Sequence, residues 1–152
     1  MTTQRKKDFK TIEVGEMMTR RVTCLTSGDT IHRALEIMAE ENLAALPVVN
    51  HTDKCLGILS RSDLADLFVG LDACVEQLNQ MQFSVDFPDG FETTVGELMN
   101  SDVISINSED SLTKAAKMMA EHRIHHLPVV DAQETLVGII STLDIAEAVS
   151  KL

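Results

Sequence analysis

The sequence predicts an α+β protein made from one structural unit used twice, and three observations carry that prediction. Shifting the chain by 81 residues lays Val14-Gly15-Glu16-Met17-Met18 on Val95-Gly96-Glu97-Leu98-Met99, Leu46-Pro47-Val48-Val49 on Leu127-Pro128-Val129-Val130, and Gly57-Ile58-Leu59-Ser60-Arg61-Ser62-Asp63 on Gly138-Ile139-Ile140-Ser141-Thr142-Leu143-Asp144. The offset holds without a gap from residue 14 to residue 67. Within each copy, short β-prone runs alternate with segments whose apolar residues recur at helical spacing. Two copies are too few for a solenoid. Units that each leave an apolar face open are expected to pack about a pseudo-twofold axis, and a cleft on that axis would be presented twice.

Residues 1–10 read as a mobile polar arm, followed by the first copy over 11–70. Val22-Thr23-Cys24-Leu25 is a short β-prone run, and the Ser27-Gly28-Asp29-Thr30 turn supplies side-chain oxygens that cap the helix after it. That helix runs to about Asn42, with Ile31, Ala34, Leu35 and Met38 on one face. Leu46-Pro47-Val48-Val49 and Cys55-Leu56-Gly57-Ile58-Leu59 read as two paired strands around an Asn50-to-Asp53 turn. Ser62-Asp63 opens a last helix reaching about Val69. The second copy, over 93–152, repeats the order strand, helix, strand, strand, helix, with Leu112, Ala115, Ala116 and Met119 as its helix face. Between them, over 71–92, Leu71, Val75, Leu78 and Met81 keep the spacing of one amphipathic helix, which Phe87-Pro88-Asp89-Gly90 ends.

A chain of 152 residues can bury about two thirds of its surface on folding. No apolar run approaches the roughly 20 residues of a membrane span, and the basic N-terminus has no apolar stretch behind it, so a cytoplasmic protein is expected. Cys24, Cys55 and Cys74 share no metal-type spacing and read as reduced thiols. The net charge of -11 argues against binding a nucleic-acid polymer, which needs clustered Lys and Arg. A single nucleotide is not excluded, but its anion must be met by local donors near the repeated motifs: Arg20, Arg21, Arg61, Arg123, His125 and His126.

The most specific local feature is the twice-used strand end Gly-Ile-x-Ser-x-x-Asp. Glycine lets another group approach the backbone, the Ser hydroxyl sits at the strand-to-helix turn, and the Asp lies in the first helical turn beside free N–H groups. A carboxylate there can accept ribose hydroxyls, while the Ser hydroxyl and the helix N-terminus favour a phosphate. Equally, Ser and Asp can do no more than cap the helix. Neither Ser60 nor Ser141 lies in a G-x-S-x-G elbow, and no catalytic set is present.

The Val-Gly-Glu-x-Met start, the Leu-Pro-Val-Val strand and the Gly-Ile-x-Ser-x-x-Asp end, over 14–67 and 95–148, resemble the CBS domain family, and two copies in tandem resemble a Bateman module. The resemblance implies two tandem CBS repeats that bind AMP, ADP, ATP or S-adenosylmethionine between them, need no other cofactor, form a homodimer, and regulate another protein, here unidentified. It places the ribose role on Asp63 and Asp144, the phosphate-side hydroxyl on Ser60 and Ser141, and backbone contact on Ile58 and Ile139. The opposite repeat would wall the adenine: Arg21, Val22 and Leu43 for the Asp144 cleft, Asp102, Val103 and Ile124 for the Asp63 cleft. Ser62 keeps a hydroxyl that Leu143 lacks.

The clefts differ. His125 and His126 precede Leu127-Pro128, where nucleotide-binding relatives often set His or Arg against phosphate, and His125 is assigned to the Asp144 cleft with Arg21. Ala44 and Ala45 hold the matching positions. A metal site from His122, His125 and His126 is the competing reading, although the spacing is a poor zinc pattern. The Asp144 cleft is therefore expected to fill first. The rival to the sensor reading is a ligand-free dimerisation or protein-interaction module with vestigial clefts.

Overall fold

The structure is a computed structural model and describes residues 8–68 and 92–152. The helix expected around Leu71 to Met81, and Cys74, lie outside the described residues. A 3-10 turn at Phe9–Thr11 precedes α1 (Val14–Met17), α2 (Ile31–Glu40), β1 (Ala45–Val49), β2 (Cys55–Ser60) and α3 (Arg61–Phe68). The second copy supplies α4 (Val95–Leu98), β3 (Ile106–Asn107), α5 (Leu112–His122), β4 (His126–Val130), β5 (Leu136–Ser141) and α6 (Thr142–Ser150). Among the described residues no helix is long and apolar enough to cross a membrane.

The main helices form where capping and spacing say they should. Thr30 Oγ1 accepts from the Arg33 N–H at 3.1 Å, and α2 buries Ile31, Ala34, Ile37 and Met38. Ser111 Oγ does the same for Lys114 at 3.2 Å, and α5 buries Leu112, Ala115 and Met119. β1 and β2 pair antiparallel with Ala45 opposite Ser60, and β4 and β5 repeat this with His126 opposite Ser141. β3 adds a parallel pairing to β4 through Ile106 and Val129. In the first copy the expected run at Val22-Leu25 shrinks to a single parallel bridge, Leu25 to Val48.

Two features depart from the sequence reading. Phe9, expected in the polar arm, packs against the core of the second copy. The short helices α1 and α4 were not expected, because four residues carry no periodicity. Their signal is capping: the Glu13 N–H donates to Glu16 Oε1 at 3.2 Å, and the Thr94 N–H to Glu97 Oε2 at 2.7 Å, the reciprocal pattern of a capping box.

The compact units are cut differently from the sequence copies, one comprising Met1–Val22 with Ile104–Leu152 and the other Thr23–Val103. Each core is completed by the short helix of the other copy. Val14, fully buried, joins Leu112, Leu127, Val129 and Ile140, while Val95, equally buried, joins Ile31, Leu46, Val48 and Leu59. Backbone bonds fix the exchange: Val14 and Gly15 donate to the Asp110 and Ser108 carbonyls, both at 2.8 Å, and Val95 and Gly96 donate to those of Asp29 and Ser27 at 2.8 and 2.9 Å. Burying each valine contributes about 1.5–3 kcal/mol.

After each short helix the chain pairs with the strand that carries the Ser-Asp motif. Thr19 and Ile139 exchange both backbone hydrogen bonds at 2.9 and 3.0 Å, and Asn100 and Ile58 do so at 3.1 and 3.2 Å. The group that approaches the motif glycine is therefore the protein's own backbone. A Cβ on Gly138 would lie 2.7 Å from the Thr19 carbonyl oxygen, and one on Gly57 would lie 2.5 Å from that of Asn100.

Because a backbone oxygen cannot swing aside, Gly138→Ala is expected to lower stability by about 1–3 kcal/mol. A urea melt with a lower midpoint and unchanged slope checks this. Gly28→Ala, where an added Cβ meets nothing within 4 Å, should change stability by no more than about 0.5 kcal/mol.

Candidate functional site

The last residue of each motif strand and the first turn of the helix after it form a reciprocal hydrogen-bonded box. In the first unit Asp63 Oδ2 accepts from the Ser60 N–H at 2.7 Å and from its hydroxyl at 2.9 Å. Ser60 Oγ accepts in turn from the Asp63 N–H at 3.3 Å. In the second unit Asp144 Oδ2 accepts from the Ser141 N–H at 2.7 Å and its hydroxyl at 3.0 Å, and Ser141 Oγ accepts from the Asp144 N–H at 3.2 Å. The capping role is thus present in both copies. It leaves specific capacity over: Oδ1 of each half-buried Asp makes no hydrogen bond among the described residues, and its two lone pairs can accept from a vicinal diol. The serine hydroxyls are less available, since their protons point at Asp Oδ2. An incoming phosphate would have to compete for them.

The backbone role expected of Ile58 and Ile139 is likewise narrowed. Each already donates its N–H and accepts at its C=O in the bridges to Asn100 and Thr19, so what remains is the second carbonyl lone pair and the half-buried side chain. Arg21 and Val22 follow Thr19 by two and three residues in the unit that holds Ser141 and Asp144; Arg21 is exposed and Val22 half-buried. Leu43 packs on the core of the Asp63 unit, and Ile124 on the core of the Asp144 unit. The unit with Ser60 and Asp63 also holds exposed Ser62, Asp102 and Val103.

The two adjacent histidines separate. His126 opens β4 directly opposite Ser141, and cross-strand partners present their side chains on one face. His125 instead lines a groove of about 380 Å³ together with Met119, Arg123, Ile124, Thr142 and Ile145. His125 stands at the bend before β4, where its carbonyl accepts from the Thr142 N–H at 2.9 Å, and the strand register sets His126, not His125, across from Ser141. Ala45, the counterpart of His126, is buried opposite Ser60. His122 is exposed at the end of α5, and among the described residues no group of three His, Cys, Asp or Glu side chains is arranged to hold a metal ion.

Burial is the main force holding the His126 pKa below its ordinary value, His125 adds to the effect, and the Asp144 carboxylate opposes it. Burial also pushes the thiols of Cys24 and Cys55 up, which keeps them protonated and poorly nucleophilic.

The CBS domain model matches residues 14–70 and 95–151. The chain is 32% identical over 133 residues to the CBS domain-containing protein YhcV of Bacillus subtilis, covering 88% of this chain and 82% of that protein. It is 30% identical over 132 residues to a homoserine O-acetyltransferase of Methanococcoides burtonii, covering 87% of this chain but only 23% of that protein. The crystal structure of CBSX2 in complex with AMP superposes with a TM-score of 0.73 at 26% identity, covering 91% of this chain and 96% of that one.

A histidine whose folded-state pKa lies below its unfolded value favours the neutral form. Its contribution to stability is therefore complete above the unfolded pKa of about 6.5 and is lost as pH falls through the folded value. Replacing the imidazole by an uncharged amide removes this component. Between pH 7.5 and pH 5 the stability of His126→Gln is expected to fall less steeply than that of the wild type, as measured by urea melts at each pH.

Proposed function

The chain belongs to the CBS domain family as a tandem pair, and from that premise we propose that it is a regulatory ligand sensor, not an enzyme, holding AMP, ADP, ATP or S-adenosylmethionine at the Ser-Asp strand ends. The observation that carries this reading is the uncommitted Oδ1 of Asp144. A capping carboxylate needs one oxygen, and the other is left at a half-buried position suited to a ribose diol. The presence of AMP in the CBSX2 crystal structure, 96% of whose chain is covered, supports an adenine ligand. Arg21 and His126 add positive or protonatable character in the Asp144 unit, whereas the Asp63 unit has Asp102 and Ala45 at the corresponding places. Arg61, at the start of α3, offsets this in part.

A ligand bound beside Ser141 would meet a strand end from the second sequence copy and the Thr19–Val22 segment from the first. It can then shift the protein between two arrangements only by the difference in its affinity for them, and a partner protein reads that shift. A homodimer is part of the proposal. Leu143 is 66% exposed and Val149 53% exposed on α6, large apolar side chains on one helix that favour an interface. The same exposed side chains support the second reading, an interaction module that works without ligand.

In ligand-free protein, AMP, ADP, ATP or S-adenosylmethionine at about 100 times its dissociation constant is expected to add roughly 2.7 kcal/mol to the folded state and raise the melting temperature accordingly. Flat melting curves across all four would favour the interaction module. Asp144→Ala is expected to weaken the tighter binding event tenfold or more, from the loss of about 1.5–3 kcal/mol of hydrogen bonding to a charged acceptor. Asp63→Ala should leave that event nearly intact. Both variants lose an equivalent helix cap, so comparing them by calorimetry separates binding from folding. Light scattering should give a dimer at micromolar concentration, and a monomer would count against the exposed apolar side chains of α6 as its interface.

A further inference from the structure

The two strand ends share the Gly-Ile-x-Ser pattern and the Leu-Pro-Val-Val strand but differ at the position opposite the motif serine, where the first unit has Ala45 and the second has His126. Cross-strand partners hold their Cβ atoms about 4.5–5.5 Å apart. The imidazole is therefore a neighbour of the Ser141 hydroxyl, itself 3.0 Å from Asp144 Oδ2. Neither β5 nor β3, the strands flanking β4, contains a titratable residue. The charged groups that reach His126 are His125, next to it in the chain, and Asp144 in the first turn of α6. Arg20, on the segment bridged to β5, is drawn away by a 2.8 Å hydrogen bond to the Gly15 carbonyl.

Resting on the adenine-nucleotide reading above, we infer that His126 makes binding in the second unit proton-coupled, its imidazole taking up a proton from solvent when a phosphate-bearing ligand settles beside Ser141 and Asp144. Burial disfavours the charged form of the half-buried ring, and a phosphate dianion brought next to it favours that form instead. No covalent bond changes, and the proton returns to solvent when the ligand leaves. An uncharged nucleoside gives the ring no reason to protonate. The first unit, with a methyl group in this place, binds without the coupling. The device makes occupancy of one site, and only one, respond to pH as well as to nucleotide concentration.

The test is calorimetric titration of ligand-free protein with AMP and with adenosine between pH 6.5 and 8. The phosphate, whose second pKa is about 6, is mostly dianionic there. Buffers of different ionisation enthalpy report the proton uptake directly. The expected result is that wild-type affinity for AMP falls about threefold to tenfold across this range with net proton uptake, while adenosine binding stays flat. His126→Ala, which copies Ala45, and His126→Gln should both bind AMP without the slope, and His125→Ala should keep it. A wild-type protein that binds AMP with no slope, or a slope that survives in both His126 variants, overturns the coupling and leaves the nucleotide reading standing. Failure of both AMP and adenosine to bind at any pH overturns the two together.

Discussion

The contact on which the rest of the molecule depends is the close antiparallel approach of the chain after each short helix to the strand of the other copy, Thr19 against Ile139 and Asn100 against Ile58. It is possible only because Gly138 and Gly57 have no Cβ to strike the facing carbonyl oxygen. Each bridge holds a short helix over a core it does not share with its own sequence copy, so Val14 and Val95 seal the cores of the second and first copies. It also sets Arg21 and Val22 in the unit of Ser141 and Asp144. Core closure and site construction are therefore one event, and a change at the glycine disturbs both.

The Ser-Asp box caps a helix and still leaves one carboxylate oxygen uncommitted. Capping the last helix uses a single carboxylate oxygen and turns the serine proton inward. Orienting the carboxylate in this way fixes where its second oxygen stands, and a preorganised acceptor gives up less entropy on binding than a free one. Under the proposed function, the capping role and a ligand role need not compete at Asp63 and Asp144. On that proposal the two roles would fall on the two oxygens of one group.

Much of this was legible in the sequence, for identifiable reasons. The strands and long helices announced themselves through pairing, caps and apolar spacing, because α2 and α5 bury one face each. The short helices were not, since Val14–Met17 and Val95–Leu98 are too brief to show a period. Nor was the exchange between copies, because a constant offset of 81 residues is satisfied equally by a helix packed on its own core or on its twin's. The motif spacing brings Ser60 to Asp63 and Ser141 to Asp144 in hydrogen-bonded boxes, whereas the placing of His126 opposite Ser141 is visible only in the strand register. One residue of parity moves a side chain to the other face of the sheet.

The exchange of short helices has a consequence for how the chain matures. One compact unit is continuous, Thr23–Val103, and all its residues have been made before the rest of the second copy exists. The other joins the segment before Thr23 to the segment after Val103, and closing that long loop must wait until β5 is complete. During synthesis the Val14 helix therefore waits for most of the duplicated region to be made before it meets its core. A gene split at the boundary of the duplication would yield two fragments that each carry the helix meant for the other. Such halves would mature by finding one another, so the duplicated sequence describes a pair of complementing pieces more than a pair of self-sufficient ones.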